Sequence, residues 1–92
     1  MAQDLVKIFY ALGNGTRLDI VRSINEKKEI SCQELLKKFP LSQPTMSHHF
    51  GILLDSGITS VRKDGVRHFY RINAKKLNSA GVNVFKLEGV KL

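Results

Sequence analysis

Residues 42–50, SQPTMSHHF, combine small hydroxyl and amide side chains with two adjacent histidines. The first serine is a favourable helix N-cap, and the proline is tolerated in the first turn because the amides there have no intrahelical partner. At 100° per residue, Met46 and Phe50 fall on one face together with Leu53. The segment therefore predicts a helix, running to about residue 56, that buries one face and exposes the other.

The exposed face of this predicted helix is polar, and it carries Gln43, Thr45, Ser47 and His48. A glutamine side chain can pair with adenine, hydroxyl groups can bond base edges or phosphates, and a threonine methyl can meet a thymine methyl. These side chains suit the major groove of double-stranded DNA.

The adjacent histidines also raise metal binding and hydrolysis as alternatives. A metal-chelating pair on one helix needs i,i+4 spacing, whereas adjacent positions diverge. Ser47 next to His48 lacks an orienting carboxylate, and no glycine-rich turn supplies an oxyanion hole. We therefore expect no metal site and no catalytic site on this segment. His49 lies at the edge of the apolar face, where we expect it to pack and to form local hydrogen bonds.

Three further helices are predicted before residue 42. The second is expected to begin after the N-cap Asn14, and the third to begin with a capping box at residues 31–34 and to end before Pro40. The expected core positions recur at helical spacing. They are Leu5, Ile8, Phe9 and Leu12 in the first helix, Leu18, Val21 and Ile24 in the second, and Leu35 and Phe39 in the third.

After the fourth helix, the helical period gives way to two β-prone runs at residues 58–62 and 66–72. Lys63-Asp64-Gly65 lies between them, and Asp-Gly supplies the positive φ angles of a tight hairpin. One of Phe69 and Tyr70 must face the core, whereas the other is free to stack on a base.

The formal net charge of +7 is unevenly distributed. Residues 57–76 carry six Lys and Arg against Asp64 alone, a net of +5, whereas residues 1–56 carry seven against six acidic residues, a net of +1. A polyanion is one natural partner for so basic a segment. A solvated basic surface is the other interpretation.

Length and composition restrict the class of protein. Ninety-two residues with 42% apolar content predict one small domain with little room for an enclosed substrate cavity. The chain lacks an 18-residue apolar run and a secretory pattern, so we expect a cytoplasmic protein without a membrane partner. The single cysteine, Cys32, is interpreted either as a small packing residue or as a redox-sensitive thiolate in the first turn of the third helix.

The chain also resembles a known family. The run ALGNGTRLDIVRSI, followed by residues 30–72, ISCQELLKKFPLSQPTMSHHFGILLDSGITSVRKDGVRHFYRI, is similar to the ArsR/SmtB family of winged helix-turn-helix transcriptional repressors. The resemblance implies a mainly α fold with a small β-hairpin, in the order α-α-α-α-β-β with a short C-terminal element. It places the helix-turn-helix at about residues 31–56 and the wing at about 58–72, in a single domain over residues 1–92.

Family membership also implies a homodimer that binds an imperfect palindrome in an operator. On this basis the recognition helix carries Gln43, Thr45, Ser47 and His48, and the wing carries Arg62, Lys63 and Arg67.

The chain departs from the family's metal sensors. These often place two cysteines at the positions of Ser31 and Gln33, with Cys32 falling between them, and others use Asp, His and Glu on a C-terminal helix. After His68 the chain has no further histidine and only the carboxylate of Glu88. We therefore expect neither a metal ion nor another cofactor.

The dimer interface is less clear from the sequence, because the tail after residue 72 has no clean period and predicts at most one short helix near residues 74–78. Val6 and Tyr10 lie at i,i+4 on a second face of the first helix, where they can contact a partner subunit or cover the chain's own tail. Residues 82–87 are the second candidate for the interface.

Two functions from different classes remain. The first is a metal-independent repressor without enzymatic activity that binds double-stranded DNA. The alternative is a winged-helix module that binds a protein partner and has weak or no affinity for DNA. Only the first predicts affinity that falls steeply as salt rises.

Overall fold

The computed structural model describes residues 2–83, in which five helices surround one side of a three-stranded antiparallel sheet. The strand order is β1-β3-β2. The elements are α1 (Ala2–Leu12), α2 (Gly15–Lys27), β1 (Glu29–Ser31), α3 (Cys32–Lys38), α4 (Gln43–Ser56), β2 (Thr59–Asp64), β3 (Arg67–Ile72) and α5 (Ala74–Ser79). The predicted succession of helices, hairpin and short C-terminal element is confirmed.

The predicted helix caps are present. The Asn14 side chain accepts a hydrogen bond from the Arg17 amide at 3.0 Å, and the Ser42 hydroxyl accepts one from the Thr45 amide at 3.3 Å. Each such cap stabilises its helix by about 1 kcal/mol. Gly57 ends α4 in the left-handed conformation, with φ of 80°, which residues with a side chain rarely adopt.

Of the two hydrogen bonds predicted for the capping box of α3, only one is present. The Glu34 amide donates to the Ser31 hydroxyl at 3.1 Å, as expected. The glutamate side chain, however, accepts a hydrogen bond from the same hydroxyl at 3.3 Å, rather than reaching the serine amide. The Ser31 backbone has another role because it belongs to β1.

Strand β1 was not predicted. Its three residues pair with β3, with Ile30 opposite Tyr70, and they turn the predicted hairpin into a three-stranded sheet. The strand forms because Ile30 is buried in the core and the open edge of β3 offers hydrogen-bonding partners. Three residues are too few to show a period of two in the sequence.

The buried face of α4 lies at the centre of the core. Met46, Phe50 and Leu53 are buried, as predicted. The Phe50 ring stacks on Tyr70 with ring centroids 4.8 Å apart. Tyr70 is therefore the aromatic residue of β3 that faces the core, and Phe69 lies on the other face of the sheet.

The prediction for α1 was partly wrong. Ile8 is buried as expected, but Phe9 and Leu5 are 55% and 40% exposed. Helix α1 contacts the rest of the molecule along one narrow stripe, in which Ile8 and Ala11 are fully covered. The predicted stripe was too wide, and it left an apolar surface open on this helix.

Arg17 is buried near the junction of α1, α2 and α4, a role that the sequence did not reveal. Its Nε donates to the Ala11 carbonyl at 2.8 Å and its Nη2 to the Tyr10 carbonyl at 3.1 Å. Its Nη1 lies 3.3 Å from His49 Nδ1. The cation thus meets the negative end of the α1 dipole, which compensates for part of the cost of its burial.

His49 packs at the core edge, as predicted, and is 9% exposed. Burial, followed by the charges of Arg17 and His48, lowers the pKa of His49 from its ordinary value. A guanidinium only donates hydrogen bonds, so Nδ1 is the acceptor and the proton of the neutral ring is on Nε2. His49 therefore joins α4 to α2 as an uncharged acceptor.

This arrangement predicts a loss of stability in mild acid. Because the folded state lowers the pKa of His49, the unfolded chain binds the proton more readily. The contribution of neutral His49 to the free energy of unfolding is complete above the ordinary pKa of 6.5, and it is lost as pH falls through the lower pKa of the folded state. We expect the free energy of unfolding, measured with urea, to fall between about pH 7.5 and about pH 5.

His49→Asn, which keeps an acceptor but cannot titrate, should show a smaller fall over the same range. The matched control is His68→Asn at an exposed position of β3, which is not among the groups that lower the pKa of His49 and should retain the wild-type fall. Equal pH dependence in wild type and His49→Asn would contradict this account of the Arg17 contact.

Candidate nucleic-acid interface

The polar face of α4 is open to solvent. Gln43, Thr45, Ser47 and His48 are all exposed, on the face of the helix opposite to its core residues. The Thr45 hydroxyl accepts a hydrogen bond from the Ser42 hydroxyl at 2.8 Å, which fixes the side chain in the first turn and leaves its own proton available. These four groups lie within two turns of the helix N-terminus.

The hairpin of β2 and β3 differs from the prediction at its turn. Asp64 pairs with Arg67, so the turn is Gly65-Val66 and not Lys63-Asp64-Gly65. Gly65 has φ of 62° while Val66 has a negative φ, which is the pattern of a type II′ turn with glycine first. Val66 was expected in the strand, but it lies at the tip with 99% of its surface exposed.

The register divides the three predicted wing cations between two faces. Lys63 pairs with His68, and Val61, two residues earlier on β2, pairs with the buried Tyr70. Lys63 therefore lies on the same face of the sheet as Tyr70. Arg62 and Arg67 belong to the opposite face because side chains alternate along a strand. The sequence indicated three neighbouring cations, but the structure presents Lys63 on one side of the hairpin and the two arginines on the other.

The two arginines share one aromatic ring. The guanidinium carbon of Arg62 lies 4.6 Å from the centroid of Phe69, and that of Arg67 lies 5.1 Å from it. Such cation-π contacts hold a long side chain in place while leaving donors free. Phe69 is half-buried beneath them, so it supports the arginines and is not an open stacking platform.

Glu29 of β1 contacts the same face, and the sequence analysis did not single it out. Its carboxylate accepts from Arg62 Nη2 at 2.8 Å and Nε at 3.2 Å, and lies 3.9 Å from Arg71 Nε. The hydrogen bond from Arg62 is the main reason that the pKa of Glu29 is lowered. The contact depends on β1, which is why the sequence pattern did not reveal it.

One cleft lies between α4 and the hairpin. It has a volume of about 240 Å³, and its lining includes Gln43 from α4, Gln33 from α3, and Arg67 and His68 from β3. Cys32 lines the same cleft. Burial raises the pKa of the Cys32 thiol, so its surroundings favour the protonated form over a redox-active thiolate.

A second cleft, of about 300 Å³, lies between α4 and α1. Ser47 and His48 line it together with Tyr10 and Gly51. Gly51 is exposed and leaves this part of α4 without a side chain. The predicted interface residue Tyr10 thus lies beside the predicted recognition residues.

The exposed apolar surface of α1 includes both residues proposed for dimerisation. Val6 is 66% and Tyr10 61% exposed, and Phe9 and Leu5 extend the same surface. Lys7 Nζ lies 3.6 Å from a carboxylate oxygen of Asp55 in α4, and both side chains are exposed. Of the second candidate segment, residues 82–87, only Val82 and Asn83 lie within the described residues, and Val82 is half-buried against the core.

Two kinds of feature are absent from residues 2–83. No three His, Cys, Asp or Glu side chains in this part of the chain are close enough together to hold a metal ion. None of the helices described is both long enough and apolar enough to cross a lipid bilayer.

Comparison with known proteins agrees with this geometry. Residues 12–62 match a family described as a helix-turn-helix domain. The chain is 37% identical over 71 residues to an arsenical resistance operon repressor of Staphylococcus aureus, a match that covers 77% of this chain and 67% of the relative. It is 33% identical over 82 residues to the protein of the same name from Staphylococcus xylosus, covering 89% and 78%.

Solved structures show the same fold. An ArsR family transcriptional regulator superposes with a TM-score of 0.77 at 26% identity, covering 88% of this chain and 82% of the other. The transcriptional repressor BigR from Xylella fastidiosa superposes with a TM-score of 0.69 at 30% identity, covering 87% and 82%. The winged helix-turn-helix geometry and the related sequences agree, and the chain belongs to the ArsR/SmtB family of DNA-binding transcriptional repressors.

Proposed function

We propose that the protein acts as a homodimer that binds a palindromic operator in the cytoplasm, without enzymatic activity, and that residues 1–92 form one winged helix-turn-helix domain. The observation that carries this proposal is the cleft shared by Gln43 of the recognition helix and Arg67 of the wing. A duplex that places base edges against α4 brings its backbone close to this arginine.

The recognition helix is proposed to enter the major groove, which is wide enough for an α-helix. Gln43, Thr45, Ser47 and His48 present amide, hydroxyl and imidazole groups that can pair with base edges. Their exposure and their position at the helix N-terminus support this role.

The wing is proposed to contact phosphates. Arg67 is the strongest candidate because it lies next to the tip of the hairpin and its guanidinium is held over Phe69. Lys63 projects from the opposite face, where it can reach a different phosphate. Arg62 is a weaker candidate than the sequence suggested, because the Glu29 carboxylate occupies one edge of its guanidinium.

The proposed dimer interface is the apolar surface of α1, centred on Val6 and Tyr10 and extended by Phe9. Large contiguous apolar patches are uncommon on monomeric proteins and mark interaction sites. A two-fold axis through this surface would pair the recognition helices across successive turns of DNA.

The same surface favours one alternative function, a module that binds an unrelated protein through α1. The two functions differ in their response to salt. A phosphate-binding site loses affinity steeply as salt rises, whereas an apolar protein interface does not.

We also propose that regulation does not involve a metal ion. The two Staphylococcus relatives are named for arsenical resistance. This chain has Ser31 and Gln33 at the positions where metal-sensing members of the family often carry cysteines. Ser31 is committed to the α3 cap, and its hydroxyl is a poor ligand for a soft ion.

The first prediction separates base contacts from phosphate contacts. Arg67→Ala should weaken binding to all duplexes alike and lower the salt slope by about 0.9 for each lost phosphate contact. Gln43→Ala should relax the base preference at one position of each half-site. Fluorescence anisotropy on selected and random duplexes measures both effects, and equal losses on both duplexes for Gln43→Ala would contradict the assignment.

The second prediction concerns assembly. Replacing both Val6 and Tyr10 with glutamate should give a folded monomer in light scattering, because two buried unpaired carboxylates oppose association. Its binding should be weak and insensitive to half-site spacing, whereas the wild type should require half-sites about one DNA turn apart, roughly 34 Å. A double variant that remains dimeric would place the interface elsewhere.

The third prediction concerns metals. Zinc, cadmium or arsenite at modest excess should neither bind stoichiometrically nor release the protein from its operator, because the side chains of the two known sensor sites are missing. Calorimetry measures the uptake. Tight one-to-one binding that is abolished by Cys32→Ser or His49→Asn would overturn this proposal.

A further inference from the structure

The geometry points to Glu29 as a positioning residue that withholds Arg62 and Arg71 from the DNA backbone and so limits the sequence-independent part of DNA affinity. This inference rests on the proposed DNA-binding function and goes beyond it. It assigns a role to an acidic residue of β1, outside both the recognition helix and the wing.

The sheet places these three side chains on one face. Glu29 is directly opposite Arg71 in the β1–β3 ladder, and Ser60 is opposite Arg71 in the β2–β3 ladder. Arg62 follows Ser60 by two residues on β2 and therefore shares this face. A single carboxylate at the edge of the sheet thus reaches one arginine on each of the other two strands.

The contact between Glu29 and Arg62 is bidentate. Nε and Nη2 donate to the two oxygens of Glu29 at 3.2 and 2.8 Å, which occupies one edge of the group. The guanidinium also lies over the Phe69 ring. A phosphate also binds best to this edge of the guanidinium, where two N–H groups point in parallel. A DNA phosphate must therefore displace the Glu29 carboxylate or accept hydrogen bonds from the other N–H groups of Arg62.

The contact with Arg71 is looser, at 3.9 Å from its Nε, and acts through charge. Arg67, in contrast, lies opposite Asp64 in the β2–β3 ladder, and its guanidinium carbon lies 5.1 Å from the centroid of the Phe69 ring. Within residues 2–83, Arg62 and Arg71 of the wing each lie within 4.0 Å of the Glu29 carboxylate, whereas Arg67 forms no ion pair at that distance.

The hydrogen bond from Arg62 is the main cause that lowers the pKa of Glu29, and the charges of Arg62 and Arg71 lower it further, so these contacts favour the ionised carboxylate. Ion pairs between exposed groups are weak, so the contact reduces phosphate binding without preventing it. Glu29 therefore sets how many phosphates the wing neutralises.

The test compares Glu29→Gln with Glu26→Gln. Both changes remove one negative charge, but Glu26 lies 4.0 Å from Lys38, away from the wing. Glu29→Gln should bind a random duplex roughly three- to tenfold more tightly at about 0.1 M salt, with a salt slope steeper by about 0.9 for each new phosphate contact. Glu26→Gln should change affinity by less than about twofold, and circular dichroism should show that both variants are folded.

A third measurement tests whether Glu29 acts through Arg62 and Arg71. In a protein that carries Arg62→Gln and Arg71→Gln, the further change Glu29→Gln should have no more effect than Glu26→Gln. Equal effects of the two single variants would overturn the inference, because net charge would then explain the gain. Weaker binding by Glu29→Gln would also overturn it, by showing that Glu29 presents Arg62 to the phosphate. If the wild type binds no duplex in a salt-dependent way, the proposed function itself fails.

Discussion

Burial of one face of α4 is the constraint on which the rest of the structure depends. Met46, Phe50 and Leu53 are covered by the core, and Phe50 stacks on Tyr70 of β3. With that face fixed, the helix must present Gln43, Thr45, Ser47 and His48 to solvent. The same stacking contact sets the position of the hairpin relative to the recognition helix, so one packing interaction orients both proposed DNA-binding elements.

The junction around Arg17 holds this helix from the other side. A buried cation is costly unless its N–H groups find hydrogen-bond acceptors. The guanidinium of Arg17 finds them in two carbonyls at the end of α1 and in His49 of α4. The recognition helix is therefore fixed to α1, which also carries the exposed apolar surface proposed for dimerisation. Arg17 thus contacts both the carbonyl of Tyr10, a residue of that surface, and His49 of α4.

The sequence was a good guide where a local rule decides the structure. The caps at Asn14 and Ser42, the buried face of α4 and the glycine of the hairpin turn each follow from a few neighbouring residues. The exposure of the residues proposed to contact DNA follows from the same helical period. The family resemblance added the expected arrangement of helices and wing, which the related structures confirm.

The sequence failed where contacts between distant elements decide the structure. Strand β1 exists because Ile30 fits the core beside Tyr70, and only this strand brings Glu29 to Arg62, 33 residues further along the chain. Likewise, Phe9 belongs to an apolar helical pattern but lies outside the narrow stripe that α1 buries. The sign of the charge on the wing was evident from composition, whereas its division between two faces required the register.

In the proposed complex, DNA contacts the exposed face of α4 and the tip of the wing, while α1 contacts a second copy of the chain. Backbone amide chemical shifts, followed by NMR during titration with an inverted-repeat duplex selected from a random pool, test this arrangement most directly. The account predicts the largest changes at residues 43–48 and 63–68, with small changes along the exposed surface of α1. Changes concentrated on α1, with residues 43–48 unaffected, would contradict it.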